Sequence, residues 1–118
     1  MRKTYQLNTC NTCQRILGEY GERPNLEVIN IGDHPITEAE LDHMKDLAGS
    51  YEALFSRRAM KYRSMGLADK VLAEEDYRRL ILEEYTFLKR PVTIVGKNIF
   101  VGNSKKVVAA TIEALNGL

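Results

Sequence analysis

The sequence predicts an α/β domain built on a mixed four-stranded sheet, with the element order βαβ, a helical block and then ββα. Three observations carry this prediction. A strand, a helix and a second strand are expected within the first 31 residues, and the right-handed crossover between such strands makes them parallel. A strand, a tight turn and a returning strand are expected from residue 91, ahead of a last helix. Between them, residues of about 37–86 have helical periodicity and predict a helical insertion in a single domain spanning 1–118.

The first βαβ unit is visible in the residue pattern. Residues 3–8 form a short strand-like stretch, and residues 26–31 are rich in β-branched side chains, which favour strands. The segment 12–20 carries apolar residues at helical spacing. Gly21 and then Pro24 end that helix, because glycine suits a helix C-terminus and proline cannot continue one.

The helical block begins at a recognisable signal. Thr37 and Glu40 have the spacing of a capping box, in which each side chain binds the backbone N–H of the other residue. Gly66 is expected to be a joint between helices. Residues 73–84 form the clearest helix of the block. Its predicted apolar stripe consists of Tyr77, Leu80, Ile81 and Tyr85.

The last third of the chain predicts a hairpin and a helix. Residues 91–95 form a buried-strand run, 96–98 a tight turn, and 99–101 the returning strand. Ser104 is expected to cap the final helix. The residues expected to face inward on that helix are Val107, Val108, Ile112 and Leu115.

Length and charge restrict the class of protein. The 118 residues suit one domain, and 17 basic against 16 acidic residues leave a net charge of +1. This balance gives no global attraction to nucleic acid or to anionic membranes. No apolar run approaches the roughly 18 residues of a membrane span, and the N-terminus lacks the apolar segment of a signal peptide. We therefore expect a cytoplasmic protein with no membrane partner and no direct nucleic-acid partner.

Cys10 and Cys13 are the two cysteines of the chain, and they lie where the first strand gives way to the first helix. A thiol at a helix N-terminus faces unsatisfied N–H groups and the positive end of the helix dipole, and both favour the thiolate. Cys10 is therefore the predicted nucleophile, and Cys13, one turn further on, is the predicted resolving thiol. A Cys-x-x-Cys pair in a βαβ–ββα order is the layout of the thioredoxin fold.

Two simpler interpretations of the cysteines compete with redox chemistry. They could be apolar packing residues, or they could bind zinc. The histidines, His34 and His43, are nine residues apart, which does not fit the usual spacing of zinc ligands, and no second Cys-x-x-Cys follows. We expect no metal site, and we expect both histidines to lie on the surface.

Basic residues occur at two further places. Residues 57–63 hold four positive charges and no negative one, which predicts either a solvated surface or an anion pocket. A guanidinium group matches tetrahedral oxyanions and lowers the pKa of a neighbouring thiol. Arg90 precedes Pro91 at the start of the third strand. A thioredoxin-like fold has a cis-proline facing the active cysteine there, so Pro91 is predicted to be cis.

The chain resembles the arsenate reductase (ArsC)/Spx family, a thioredoxin-like group with a helical insertion. The matching segments occur in order over nearly the whole chain. They are Tyr5 with the cysteine motif 10–13, then 34–41, 54–58, 62–67 and 87–91.

The resemblance implies a thiol-dependent oxidoreductase. Cys10 would attack a small oxyanion such as arsenate, or a disulfide, and Cys13 or an external thiol such as glutathione or thioredoxin would resolve the adduct. It implies no bound cofactor. Arg90 would bind the oxyanion together with Arg57 or Arg58, between which the sequence does not choose. The alternatives are an Spx-like redox-sensing regulator that binds RNA polymerase, and a thioredoxin-like protein without chemistry.

The chain departs from the reductase pattern at three places. Residues 6–9 read Gln-Leu-Asn-Thr, where the established reductases have a His-Asn-Pro run before the cysteine. Gln14 follows the motif, where they place an arginine. Residues 102–106 offer only lysines, where they have a third arginine. The fold prediction does not depend on these positions, whereas the prediction of arsenate as substrate does.

Overall fold

The computed structural model describes residues 1–117, and its elements follow the predicted order. In chain order these are β1 (Arg2–Gln6), α1 (Asn11–Tyr20), β2 (Glu27–Asn30), α2 (Glu38–Ala48), α3 (Met60–Ser64), α4 (Glu74–Glu83), β3 (Val92–Val95), β4 (Asn98–Val101) and α5 (Lys105–Asn116). Single 3-10 turns lie at Glu52–Leu54, Leu67–Asp69 and Tyr85–Phe87. The predicted α/β class with a mixed four-stranded sheet is confirmed.

The chain divides into two compact units. The first combines Met1–Pro35 with the segment that begins at Arg90, and it holds the sheet, α1 and α5. The second is Ile36–Lys89 and holds α2, α3 and α4. Its limits bracket the helical insertion predicted over about 37–86. That the two units make up one domain stays a prediction.

The sheet of the first unit has the order β2-β1-β3-β4. β1 is parallel to β2 and antiparallel to β3, and β3 is antiparallel to β4. Because β1 and β2 are parallel, both end at the same edge, where Gln6 is the register partner of Asn30. β3 begins at that edge too, with Val92 beside Tyr5. Three segments of chain therefore meet at one end of the sheet.

The core of this unit forms between the sheet and its helices. Side chains of α1, β3 and α5 make a buried apolar cluster that consists of Ile16, Tyr20, Val95, Val108 and Leu115. Polar side chains are buried beside it and are hydrogen-bonded, as buried polar groups must be. The hydroxyls of Thr4 and Thr93 lie 2.8 Å apart, and Thr111 Oγ1 donates to the Val107 carbonyl at 2.7 Å.

Helix and turn signals in this unit act as predicted. Ser104 Oγ accepts from the Val107 N–H at 3.2 Å and caps α5. The turn between β3 and β4 contains Gly96 at φ 62°, a conformation that glycine adopts without steric cost. None of the helices within residues 1–117 is long and apolar enough to cross a membrane.

The second unit packs around aromatic rings and one charged cluster. The Phe55 ring lies 4.9 Å from that of Tyr77 and 5.0 Å from that of Phe87. Arg78 on α4 donates to the Asp42 carboxylate on α2 at 2.8 and 3.2 Å. Tyr51 Oη donates to the same carboxylate at 2.6 Å. Hydrogen bonds from Arg78 and Tyr51 lower the pKa of Asp42 to about 2, so this carboxylate stays ionised and keeps the two helices joined.

The predictions for Gly66 and for the stripe of α4 had different outcomes. Gly66 separates α3 from the Leu67–Asp69 turn at φ 68°, and its role as a joint is confirmed. Tyr85 was assigned wrongly to the buried stripe of α4, since it is 39% exposed. The helix ends at Glu83 because Glu84 takes an extended conformation, which removes Tyr85 from helical register. The other stripe residues, Tyr77, Leu80 and Ile81, are buried as predicted.

The capping box of α2 gives a direct test of the helical unit. Thr37 Oγ1 accepts from the Glu40 N–H at 3.1 Å, and Glu40 Oε1 accepts from the Thr37 N–H at 3.1 Å. Thr37→Ala should lower the free energy of unfolding by about 1 kcal/mol, because an N-terminal N–H of α2 loses its acceptor. Thr37→Ser keeps the hydroxyl and is the control. Equal urea midpoints for the alanine and serine variants would contradict this reading of the cap.

Candidate active site

Cys10 is the N-cap residue of α1. The chain turns sharply after β1, and the Cys10 N–H donates to the Leu7 carbonyl at 3.0 Å. Cys10 has extended dihedrals, φ −91° and ψ 110°, and the helix begins at the next residue. Its Sγ accepts from the Cys13 N–H at 3.4 Å, so the sulfur takes the place of the oxygen that usually caps a helix.

This position favours the Cys10 thiolate. Partial burial acts to raise the pKa of Cys10, but hydrogen bonds from the Cys13 backbone and thiol, together with Arg90, outweigh it. The pKa of Cys10 is therefore lower than that of an ordinary cysteine. Cys10 is also partly exposed, whereas Cys13 is fully buried. A partly exposed thiol with a lowered pKa is the kind of cysteine that reacts as a nucleophile.

Cys13 has the opposite environment. Its side chain has no solvent-exposed surface, and burial raises the pKa of Cys13 to about 11. The Leu7 N–H favours the Cys13 thiolate but does not outweigh the burial. Both cysteines are free thiols in the structure. One turn of helix therefore carries a thiol that ionises easily and one that keeps its proton.

Arg90 lies at this end of the sheet because β3 begins there. The antiparallel pairing of Tyr5 with Val92 brings the residues just before β3 beside the chain that leaves β1. The Arg90 guanidinium favours the Cys10 thiolate through its charge and through a hydrogen bond. The Arg90–Pro91 bond is cis, the configuration that the sequence predicted, and the Pro91 carbonyl accepts from the Gly102 N–H at 2.9 Å.

Arg57 and Arg58 belong to the second unit. Arg57 donates to Glu52 at 2.7 Å and to the Tyr77 hydroxyl at 3.0 Å, and it lies over the Tyr77 ring. Arg58 is exposed and forms no ion pair or hydrogen bond with the described part of the chain. That either arginine binds an oxyanion stays a prediction.

Two polar residues that were not predicted as site residues lie beside the cysteine motif. Gln14 Nε2 donates to Gln6 Oε1 at 2.9 Å and to the Leu7 carbonyl at 3.1 Å. These are the only glutamines in the chain, and one stands on each side of the cysteine motif. Both had been noted only as departures from the reductase pattern. No sequence signal relates them, because Gln6 belongs to β1 and Gln14 to α1.

The histidines lie outside this arrangement. His34 and His43 are both exposed. Across residues 1–117, no three histidine, cysteine, aspartate or glutamate side chains are grouped so that they could hold a metal ion.

Comparison with known proteins identifies the family. The model of the ArsC family matches residues 5–111. The chain belongs to the ArsC family. A curated relative of this ArsC protein is YusI of Bacillus subtilis (strain 168), an uncharacterized protein that is 29% identical over 97 residues and is matched over 80% of each chain.

Solved structures confirm the fold of this ArsC protein. An arsenate reductase from Vibrio cholerae has a TM-score of 0.75 at 15% identity, with 96% of each chain covered, and so shows the fold alone. A protein from Staphylococcus aureus COL, determined by NMR in solution, has a TM-score of 0.71 at 28% identity. That likeness covers 93% of this chain and 97% of the other. The predicted thioredoxin-like class and the ArsC resemblance are confirmed.

The pairing of Arg90 with Cys10 can be tested by thiol reactivity. Arg90→Ala should raise the pKa of Cys10 by up to about one unit, since the thiolate loses a positive charge and a hydrogen-bond donor. Iodoacetamide labelling of Cys10 against pH measures this directly. Arg90→Lys restores the charge without the planar fork and should give an intermediate pKa. An unchanged labelling profile in folded Arg90→Ala would mean that the guanidinium does not act on the thiol.

Proposed function

We propose that this ArsC protein is a thiol-dependent oxidoreductase with Cys10 as nucleophile and Cys13 as resolving thiol. The observation that carries the proposal is the difference between the two cysteines. Cys10 caps α1, is partly exposed and has a lowered pKa, whereas Cys13 is buried one turn away with a raised pKa. Two such thiols allow attack on a substrate first and closure of an internal disulfide second.

With a disulfide substrate, the Cys10 thiolate attacks one sulfur and forms a mixed disulfide, and the other sulfur leaves as a thiolate. Cys13 then loses its proton and attacks Cys10 Sγ. The second half of the substrate leaves as a thiolate, and a Cys10–Cys13 disulfide remains. An external thiol, glutathione or thioredoxin, reduces that bond and restores both cysteines. The protein needs no bound cofactor, because the thiols supply the two electrons.

With arsenate, the Cys10 thiolate forms a bond to arsenic and displaces one oxygen as water. A second thiolate, from Cys13 or from glutathione, then attacks the Cys10 sulfur. The electron pair of the S–As bond stays on arsenic, so As(V) becomes As(III) while the two thiols become a disulfide. The reduction of arsenate also requires groups that bind a tetrahedral anion.

Arg90 is the first of those groups, because its guanidinium already faces Cys10 and fits an oxyanion with two parallel hydrogen bonds. Arg58 is a better candidate than Arg57 for the second. Arg57 is engaged by Glu52 and Tyr77, whereas Arg58 is exposed and makes no such contact within residues 1–117. An arginine that must give up an ion pair binds an anion less tightly.

An Spx-like redox-sensing regulator that binds RNA polymerase is the second candidate. Exposed apolar side chains on the helical unit favour it, since a partner protein would bury them. Met60 is 89% exposed and Val71 is fully exposed, with relative exposure 102%. Arg58 and Arg63 lie beside Met60 and would add positive charge to such a surface.

Turnover with defined substrates distinguishes these functions. Reduction of arsenate, and separately of a small disulfide such as hydroxyethyl disulfide, is followed by NADPH consumption with glutathione and glutathione reductase, or with thioredoxin and thioredoxin reductase, and the rate measured without the protein is subtracted. The wild-type chain should turn over at least one of the two substrates, and Cys10→Ser should abolish turnover. Cys13→Ser should accumulate a mixed disulfide on Cys10, visible by non-reducing mass spectrometry.

The outcomes separate the candidates. Turnover that survives Cys10→Ser would contradict the role of the nucleophile. Absence of turnover on both substrates, together with binding to RNA polymerase that changes on oxidation of the cysteine pair, would favour the regulator. Arg58→Ala and Arg57→Ala form a matched pair for arsenate, and the Arg58 variant should lose more turnover.

A further inference from the structure

We propose that four neutral residues, Gln6, Asn8, Gln14 and Asn30, form a hydrogen-bonded network that positions Cys10 at the N-terminus of α1, with Gln14, the member on the helix itself, as its main positioning residue. The network connects the ends of β1 and β2 to the first turns of α1. Its members are not nucleophiles or ligands. They act on the reaction only through the place they give to the cysteine sulfur.

The network is continuous. Gln14 Nε2 donates to Gln6 Oε1 at 2.9 Å, and Gln6 Nε2 donates to Asn8 Oδ1 at 2.7 Å. The Asn8 N–H donates to Asn30 Oδ1 at 3.1 Å. Asn30 Nδ2 in turn donates to Asp33 Oδ2 at 3.0 Å. Three of the links are made by side-chain amides, whereas the link from Asn8 to Asn30 is made by the Asn8 backbone N–H.

Breaking the network is energetically unfavourable because Gln6 is buried. Its side chain is buried, with 2% of its surface exposed, although it belongs to a residue type that is usually on the surface. Gln14 satisfies its oxygen and Asn8 satisfies its nitrogen. Removing the Gln14 amide leaves a buried oxygen without that donor, and an unsatisfied buried polar group is unfavourable. The segment must then shift to restore a partner.

A shift of this segment also moves the Leu7 peptide, which contacts both cysteines. Its carbonyl accepts from Gln14 Nε2 at 3.1 Å and from the Cys10 N–H at 3.0 Å. Its own N–H faces the Cys13 sulfur. The Cys13 N–H donates to Cys10 Sγ at 3.4 Å, an ordinary length for a hydrogen bond to sulfur, and this contact weakens if Cys10 moves away from the first turn of α1. Loss of the Gln14 side chain therefore weakens the contact that favours the Cys10 thiolate.

The proposal rests on the proposed function only in taking Cys10 as the reactive thiol, and its test needs neither substrate nor turnover. Gln14→Met has a side chain of similar length without hydrogen-bonding groups. It should raise the pKa of Cys10 by about one unit, a roughly tenfold loss of thiolate below that pKa. Gln6→Met should act in the same direction. The double variant should shift the pKa no further than the larger single shift, because both changes break one network.

Thr111→Val is the matched control for a general loss of stability. Thr111 is buried in the same unit, and its valine variant loses the hydrogen bonds of the hydroxyl to the Val107 carbonyl on α5 and to the Tyr20 hydroxyl. It should reduce the urea midpoint while leaving iodoacetamide labelling of Cys10 against pH unchanged. A folded Gln14→Met protein with the wild-type labelling profile, or a Thr111→Val protein with the same shift as Gln14→Met, would overturn the proposal.

Asn8→Ala covers the case in which the buried glutamine variants do not fold. Asn8 is exposed, so truncation should leave the fold intact while removing the acceptor of Gln6 Nε2. A smaller rise in the pKa of Cys10 is expected, and no rise would count against the network. If Gln14→Met shifts the thiol as expected but the wild-type chain reduces neither arsenate nor disulfide, the network stands and the proposed function fails.

Discussion

The hydrogen bond from the Cys13 N–H to Cys10 Sγ is the contact on which the candidate site depends. It makes a sulfur the cap of α1, where unsatisfied N–H groups and the helix dipole favour negative charge. The strand pairings of the first unit determine where this sulfur lies. The parallel pairing of β1 and β2 sets the edge of the sheet, and the antiparallel pairing of β1 and β3 brings Arg90 to that edge.

Cys10 and Cys13 lie one helical turn apart, but their thiols differ in exposure and in pKa. Cys10 is partly exposed and accepts a hydrogen bond from the Arg90 guanidinium, whereas Cys13 is fully buried. An internal disulfide can close only after Cys13 gives up its proton, which its burial opposes. Under the proposed function, this difference favours a fast first attack by Cys10 and a second step that waits for a proton acceptor or for an external thiol.

Much of this arrangement could be predicted from sequence because its signals are local. The Thr37–Glu40 capping box, the Ser104 cap and the glycine in the β3–β4 turn each act within a few residues. The placement of Tyr85 on the buried stripe of α4 was wrong, because no local sequence signal marks the end of the helix at Glu83. The contact between Gln6 and Gln14 could not be predicted, since helical spacing does not relate a residue of β1 to one of α1. It appears only once the turn at Leu7–Cys10 is known.

The titration of the two thiols tests the central claim most directly. In the reduced chain labelled with 13C at the cysteine Cβ atoms, NMR resonances of Cys10 and Cys13 are followed against pH. Cys10 should titrate at lower pH than an ordinary cysteine, and Cys13 should keep its proton until the pH approaches its pKa of about 11. Titration of Cys13 before Cys10, or of both together near the unperturbed value, would contradict the account.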